Sequence, residues 1–476
     1  MAHLVRKSGE AQEFEMRTGL FRGTQAAMAG GALAALVSVS ALAAVPESVA
    51  NRLGQDLTPT GAEKAGNSDG SIPAWTGGLT APPAGLGYRA GEHYLDPFAG
   101  DQVQLSIDGT NYAQHEANLT PGQVAMLQTY PSYKMNVYQT RRTCANPDSA
   151  YAQARQNAVT GRLADDGNGV VDAVRTTPFP IPNNALEIIW NHTLTYRAFK
   201  IAAQTVNAAP TRDGSFTPLV VQTDTIINYS NPVVTKTEEL DNVSVYIIFN
   251  TVAPARSAGS VLLVHETLNQ AIGARRAWQY SPGTRRVRRA PNISYDNPGT
   301  NSDGLSTSDS FDMYNGAPDR YNWTVLGKRE VFIAANNYKV QQAGVKYTDI
   351  VQPGHPDPDL VRYERRRVWE IQADLKAQTR HVYSRRQMAL DEDGWQIAAT
   401  TLYDGRGELW RVQERWAAVA YDHPLCNGAG DVVYDLNAGR YLAGGLRSEE
   451  GPINYDASEL SLERYTPATI RQLGVR

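Results

Sequence analysis

VLLVHETLNQAIGARRAWQYSPGTRRVRRAP, residues 261–291, holds the clearest fold signal in the chain. Its second half reads as a β-hairpin. Residues 274–281 end in Trp278-Gln279-Tyr280, Pro282-Gly283 makes the turn, and residues 284–289 return. Proline fixes φ at the first turn position and glycine accepts a positive φ at the second, so Pro-Gly between two β-capable runs predicts a turn. A two-residue loop pairs Trp278 with Val287 and Tyr280 with Arg285; a bulge at the turn would shift that register. Rings and Val287 then share one side, with Arg286 and Arg288 on the other.

Outward from the hairpin, the same grammar recurs. Trp369, Ile371, Ala373 and Leu375 alternate with Glu370, Gln372 and Asp374, the pattern of a half-buried antiparallel strand. Turns are expected at 391–394, 404–405 and 437–439, so the C-terminal half reads as a meander in one large antiparallel sheet. Helices are expected before and after it. Thr120-Pro121-Gly122-Gln123 outlines a capping box. Asn146-Pro147 opens a second helix that Gly161 closes, Asn183 caps a third with Leu186, Ile189 and Trp190 on one face, and Thr466-Pro467 starts the last. Residues 44–105, rich in Gly and Pro, read as an extended arm anchored by Leu57, Ile72 and Trp75, and 106–476 as a single domain. The long polar segment 292–309 is expected to be a lid or binding loop, or else disordered.

The chain has 476 residues, 42% hydrophobic and 20% charged, with net charge −4, which permits a large core and gives no electrostatic reason to bind nucleic acid. A mean hydropathy of −0.41 excludes a multi-span membrane protein. Arg17 and Arg22, the apolar run 26–39 and Ala41-Leu42-Ala43 follow the order of a cleaved secretory signal, so residues 1–43 are expected to be removed, with Met16 as the true start and the periplasm as the destination. In that oxidising compartment Cys144 and Cys426 can pair across a very long loop; two buried thiols are the alternative.

Catalytic signatures are missing. No G-x-S-x-G, H-E-x-x-H, P-loop or G-x-G-x-x-G occurs in context, so no catalytic residue, cofactor or metal is expected. His265-Glu266 lacks a second histidine four residues on and reads as structural. Asp391, Glu392 and Asp393 read as turn acids, and Asp303, Asp309, Asp312 and Asp319 lack calcium-loop spacing and are expected to pair with the arginine-rich hairpin. Arg285, Arg286, Arg288 and Arg289 are a solvated, cross-braced face on the plain interpretation. On the functional one they are a rim for anionic head groups.

The motif W-x-Y-x-P-G-x-R-R-V-R-R resembles the central hairpin of a periplasmic domain-of-unknown-function family of Gram-negative bacteria, a distant and enlarged relative of the outer-membrane lipoprotein-sorting proteins. LTPTGAEKAGNSDGSIPAWTGGL (57–79), PFPIPNNALEIIWNH (178–192), SDSFDMYNGAPDRY (308–321) and DEDGWQIAATTLYDGRGELWR (391–411) extend the resemblance over most of the chain. It implies an α+β fold, a strongly bent antiparallel half-barrel with helices on its concave side and an under-filled apolar interior. Trp278, Tyr280, Val287, Trp369, Ile371, Trp395 and Trp410 are the candidates for that interior face; packed on helices, they would simply be core. The implied function is non-catalytic transport of a lipid or other apolar molecule between inner and outer membranes, with an inner-membrane transporter and an outer-membrane acceptor as partners. An envelope glycan or ester hydrolase using convergent Asp, Glu and His, and an interaction protein with a filled core, are the alternatives.

Overall fold

The computed structural model describes residues 44–290 and 295–475; the expected export segment, 1–43, lies outside them. Seventeen strands occur in this region: β1 Leu105–Asp108, β2 Lys134–Val137, β3 Arg162–Leu163, β4 Val170–Val171, β5 Lys200–Ala208, β6 Leu219–Ile226, β7 Val243–Ala253, β8 Val261–Thr267, β9 Arg276–Ser281, β10 Arg286–Arg289, β11 Tyr321–Ala334, β12 Tyr363–Leu375, β13 Arg385–Asp391, β14 Ile397–Tyr403, β15 Leu409–Ala420, β16 Leu425–Asp435 and β17 Arg440–Leu446. All but β3 and β4 belong to one sheet. The helices are α1 Glu47–Ala50, α2 Pro121–Thr129, α3 Asp148–Thr160, α4 Ala185–Leu194, α5 Tyr347–Ile350 and α6 Pro467–Gly474, with short 3₁₀ turns between elements.

The sheet is two antiparallel meanders laid side by side. One runs β11 to β17, the other β5 to β10, and β17 joins β5. That seam is thin: Ala443 pairs with Ala208 and Leu446 with Val206, with Gly444 and Gly445 slipped between them. The outer strands do not pair with each other, so the fold is α+β with an open half-barrel sheet.

Register decides which side chains share a face, because directly opposed residues point the same way. Ile371, Met388, Thr400, Gln413, Val433 and Leu442 form one such row across β12 to β17. On this face α4 packs Ile188 and Ile189 against Ile371, Met388, Leu390 and Trp395. On the opposite face α2 sets Met126 and Leu127 beside Val412, Trp416 and Tyr434, and α6 sets Ile470 against Ile248, Leu263 and Tyr280.

Local signals account for the helix ends. Thr120 accepts from the Gln123 backbone while the Gln123 side chain accepts from Thr120, a complete capping box. Gly161 ends α3 and Thr466 caps α6. Asn184, not Asn183, caps α4: its side chain accepts from the Glu187 backbone, and Glu187 reaches back to the Asn183 N–H. The hairpin also differs from expectation. Val287 pairs with Tyr280 and Arg289 with Trp278, so the loop holds four residues and Arg285 takes φ 51°. A shift of two preserves the faces, which leaves Arg286 and Arg288 opposite the rings.

Residues 44–104 lie along the body, tied down at specific points. Trp75 donates to the Cys144 carbonyl at 3.0 Å, and Arg142 donates to the carbonyls of Glu63, Lys64 and Pro73 while pairing with Asp393. Cys144 and Cys426 are joined, their Cα atoms 5.3 Å apart. Beside them the 391–394 turn forms as expected, with Glu392 and Asp393 buried in it at 2% and 6% exposure.

Candidate functional site

A cavity of ≈ 430 Å³ lies on the α4 side of the sheet, over the second meander and the adjoining part of the first. Its floor is supplied by every second residue of successive strands, including Val221, Ile247, Phe249, Leu262, Val264, Val433 and Leu442, with Thr205, Thr223 and Thr251 among them. The first meander's half of this face is filled by α4 together with Met313 and Tyr314. The volume falls within the ~300–1,000 Å³ typical of small-molecule pockets.

The roof is the long polar segment, which the structure describes from residue 295 onward. Residues 299–302, 306–308 and 310–312 line the cavity from above. Phe311, 50% exposed, stands edge-on to Phe249 with ring centroids 5.8 Å apart. Strand arginines hold this roof down. Arg440 pairs with Asp303 at 2.6 Å, and Arg411 donates to the Gly304 carbonyl at 2.8 Å. Arg386 and His381 both meet Asp309, at 2.5 and 3.0 Å, and Arg197 and Arg415 both pair with Asp312. Arg386 is itself caged by Tyr314, Tyr321 and Tyr383, whose centroids lie 5.0–5.5 Å from its guanidinium carbon. The acids expected to meet the arginine hairpin therefore pair elsewhere. Asp303, Asp309 and Asp312 take arginines of the sheet and of Arg197, and Asp319 accepts from Tyr295. The guanidiniums hold Asp309 and Asp312 well below the ordinary carboxylate range against the cost of burial.

Three acids face the cavity. Glu266 pairs with Arg275 at 2.6 Å and accepts from Asn315 at 3.1 Å. Asp312 is held by its two arginines. Asp431 accepts no hydrogen bond and makes no ion pair among the described residues, and burial raises its carboxyl above the ordinary value, Asp312 adding to the shift and Arg415 opposing it. Among the described residues no three His, Cys, Asp or Glu side chains are grouped to hold a metal ion.

None of the seven expected interior residues lines this cavity. Trp278, Tyr280 and Val287 lie on the opposite face beneath α6. Trp369, Ile371 and Trp395 are on the cavity face but in the half that α4 fills. Trp410 donates to Asp435 at 3.1 Å beneath the Arg411 guanidinium. The aromatic pattern marks core because most large rings are spent where helices cover the sheet; the uncovered floor is built mainly of Val, Leu, Ile and Thr, with Phe249 among them, which no motif distinguishes from any strand. His265 likewise points away from the cavity and meets the Tyr465 carbonyl at 3.0 Å. Arg285, Arg286, Arg288 and Arg289 are exposed at the hairpin, and none is in an ion pair among the described residues.

Comparison with known proteins adds the following. An uncharacterized protein of Pseudomonas aeruginosa is 46% identical over 445 residues, covering 93% of this chain and 96% of that protein. Among solved structures, a domain of the outer membrane lipoprotein-sorting kind from Vibrio parahaemolyticus matches at a TM-score of 0.42 and 12% identity, over 60% of this chain and 98% of that one. A DUF1329 family protein from Desulfovibrio piger matches at 0.40 and 13%, over 57% and 92%. The family model described as "Protein of unknown function (DUF1329)" matches residues 106–471, and the chain belongs to that family.

Proposed function

We propose that the protein is a non-catalytic carrier, exported to the periplasm, that holds a lipid or other long-chain apolar molecule in this cavity and passes it between the two membranes of the envelope. The cavity carries the proposal: an aliphatic floor on an open sheet, roofed by a pinned loop. Each methylene moved from water onto such a floor contributes about 0.8 kcal/mol, so a chain of ordinary length binds without bond-making chemistry. An inner-membrane transporter as donor and an outer-membrane acceptor fit this role. Hydrolysis of envelope glycans is less well supported, since it needs two available carboxylates, and two of the three acids at the cavity are engaged by arginines.

Native mass spectrometry of protein purified from periplasm is expected to show a bound amphiphile, and the emptied protein is expected to extract labelled lipid from vesicles. Clean protein that also extracts nothing would overturn the carrier reading.

A further inference from the structure

The charged groups lining the cavity can be accounted for one by one. Glu266, Arg275 and Asn315 satisfy each other at one end. Asp312 is saturated by Arg197 and Arg415. Asp431 remains, and the strand register explains why. Its neighbour on β15 is Arg415, whose guanidinium is drawn to Asp312 instead. Its neighbour on β17 is Gly444, which has no side chain to offer. A Cβ placed on Gly444 would come within 3.4 Å of both the Asp431 Oδ1 and the Asn207 Oδ1. The glycine thus keeps open a niche flanked by two acceptor oxygens. The Asn207 orientation is set by the Gly445 N–H, which donates to that same oxygen at 3.4 Å. Val433 and Leu442, adjacent on the same two strands, begin the aliphatic floor beside the niche.

We propose that the ligand is an amphiphile with a hydrogen-donating head group, an amine or a hydroxyl, seated between Asp431 and Asn207 with its chain along the floor. This rests on the carrier reading above and narrows it. Acceptor oxygens satisfy a donor and repel an anion, so a fatty carboxylate is the wrong head for this seat.

The test uses the mature protein, dodecylamine, dodecanol and dodecanoate at neutral pH, with affinities from calorimetry below micelle-forming concentrations. Dodecylamine and dodecanol are expected to bind at least about tenfold tighter than dodecanoate, as a charge-assisted or buried hydrogen bond would give. Asp431→Asn, near-isosteric, is expected to remove most of the amine's advantage while the melting temperature holds. Dodecanoate binding as tightly as the others, or an amine preference untouched by Asp431→Asn, would overturn the head-group assignment and leave the carrier standing. Failure of all three chains to bind would overturn both. Should the variant not fold, the wild-type ranking alone decides.

Discussion

Glu414 sits at 3% exposure on the face opposite the cavity, where it accepts from Tyr363 at 2.8 and 3.0 Å and from Tyr133 at 3.4 Å. Burial outweighs these bonds and pushes its carboxyl up to about 7. A carboxyl raised in the folded state binds its proton more tightly there than in the unfolded chain. Its cost is therefore absent below the unfolded value near 4.5 and fully present above about 7. Glu414→Gln is expected to raise stability by roughly 3 kcal/mol at pH 8 and to change it little at pH 4.5, read as the difference between the two proteins' melting profiles. The difference matters because His192, held down to about 4 by burial, works in the other direction over part of the same range. Asp309 behaves oppositely to Glu414. It is paired, and Asp309→Asn would leave Arg386, with no exposed surface, without its counter-charge. A loss of roughly 3–5 kcal/mol in denaturant unfolding is expected.

At the scale of elements, the hairpin tip and the cavity roof contrast. The roof is bound to the sheet by arginines of which Arg386, Arg411 and Arg415 are buried, whereas the hairpin's four arginines make no ion pair among the described residues. Replacing Arg285, Arg286, Arg288 and Arg289 with glutamine is expected to shift stability by no more than about 0.5 kcal/mol each. Co-sedimentation with anionic vesicles is expected to fall, most of all at low salt, where screening is weakest. The same contrast sets how much was legible in advance. The Thr120–Gln123 box, the Gly161 stop and the alternation in β12 depend on residues a few positions apart, and all are plain in the sequence. The four-residue hairpin loop depends on Arg285 adopting a left-handed backbone, which its side chain does not advertise. The Asp309–Arg386 pair spans 77 positions, and Asp431 is left unpaired only because Arg415 is drawn elsewhere and Gly444 has nothing to give. Such facts belong to register and competition between partners. Aromatic content pointed to the filled half of the sheet for the same reason: rings are a signal of packing, and in the hollow they are few.

For the whole molecule, the join between the two meanders is the feature with the widest reach. Between β17 and β5 themselves Ala443–Ala208 and Leu446–Val206 pair, around two glycines, with the isolated bridges Ala202–Asn454 and Lys200–Asp456 further along β5, whereas most other strand pairs in the sheet have longer ladders. The cavity floor spans this join, with Val433 and Leu442 on one side and Thr205 and Val221 on the other. Amide hydrogen exchange at 206–208 and 443–446 is expected to be faster than in the flanking strands when the protein is empty, and to slow on loading. On the proposed carrier role, a guest lying across this short ladder acts as a rivet between the two halves. Cargo and stiffness would rise together, so an acceptor could tell a laden molecule from a spent one by its rigidity, without ever touching what it carries.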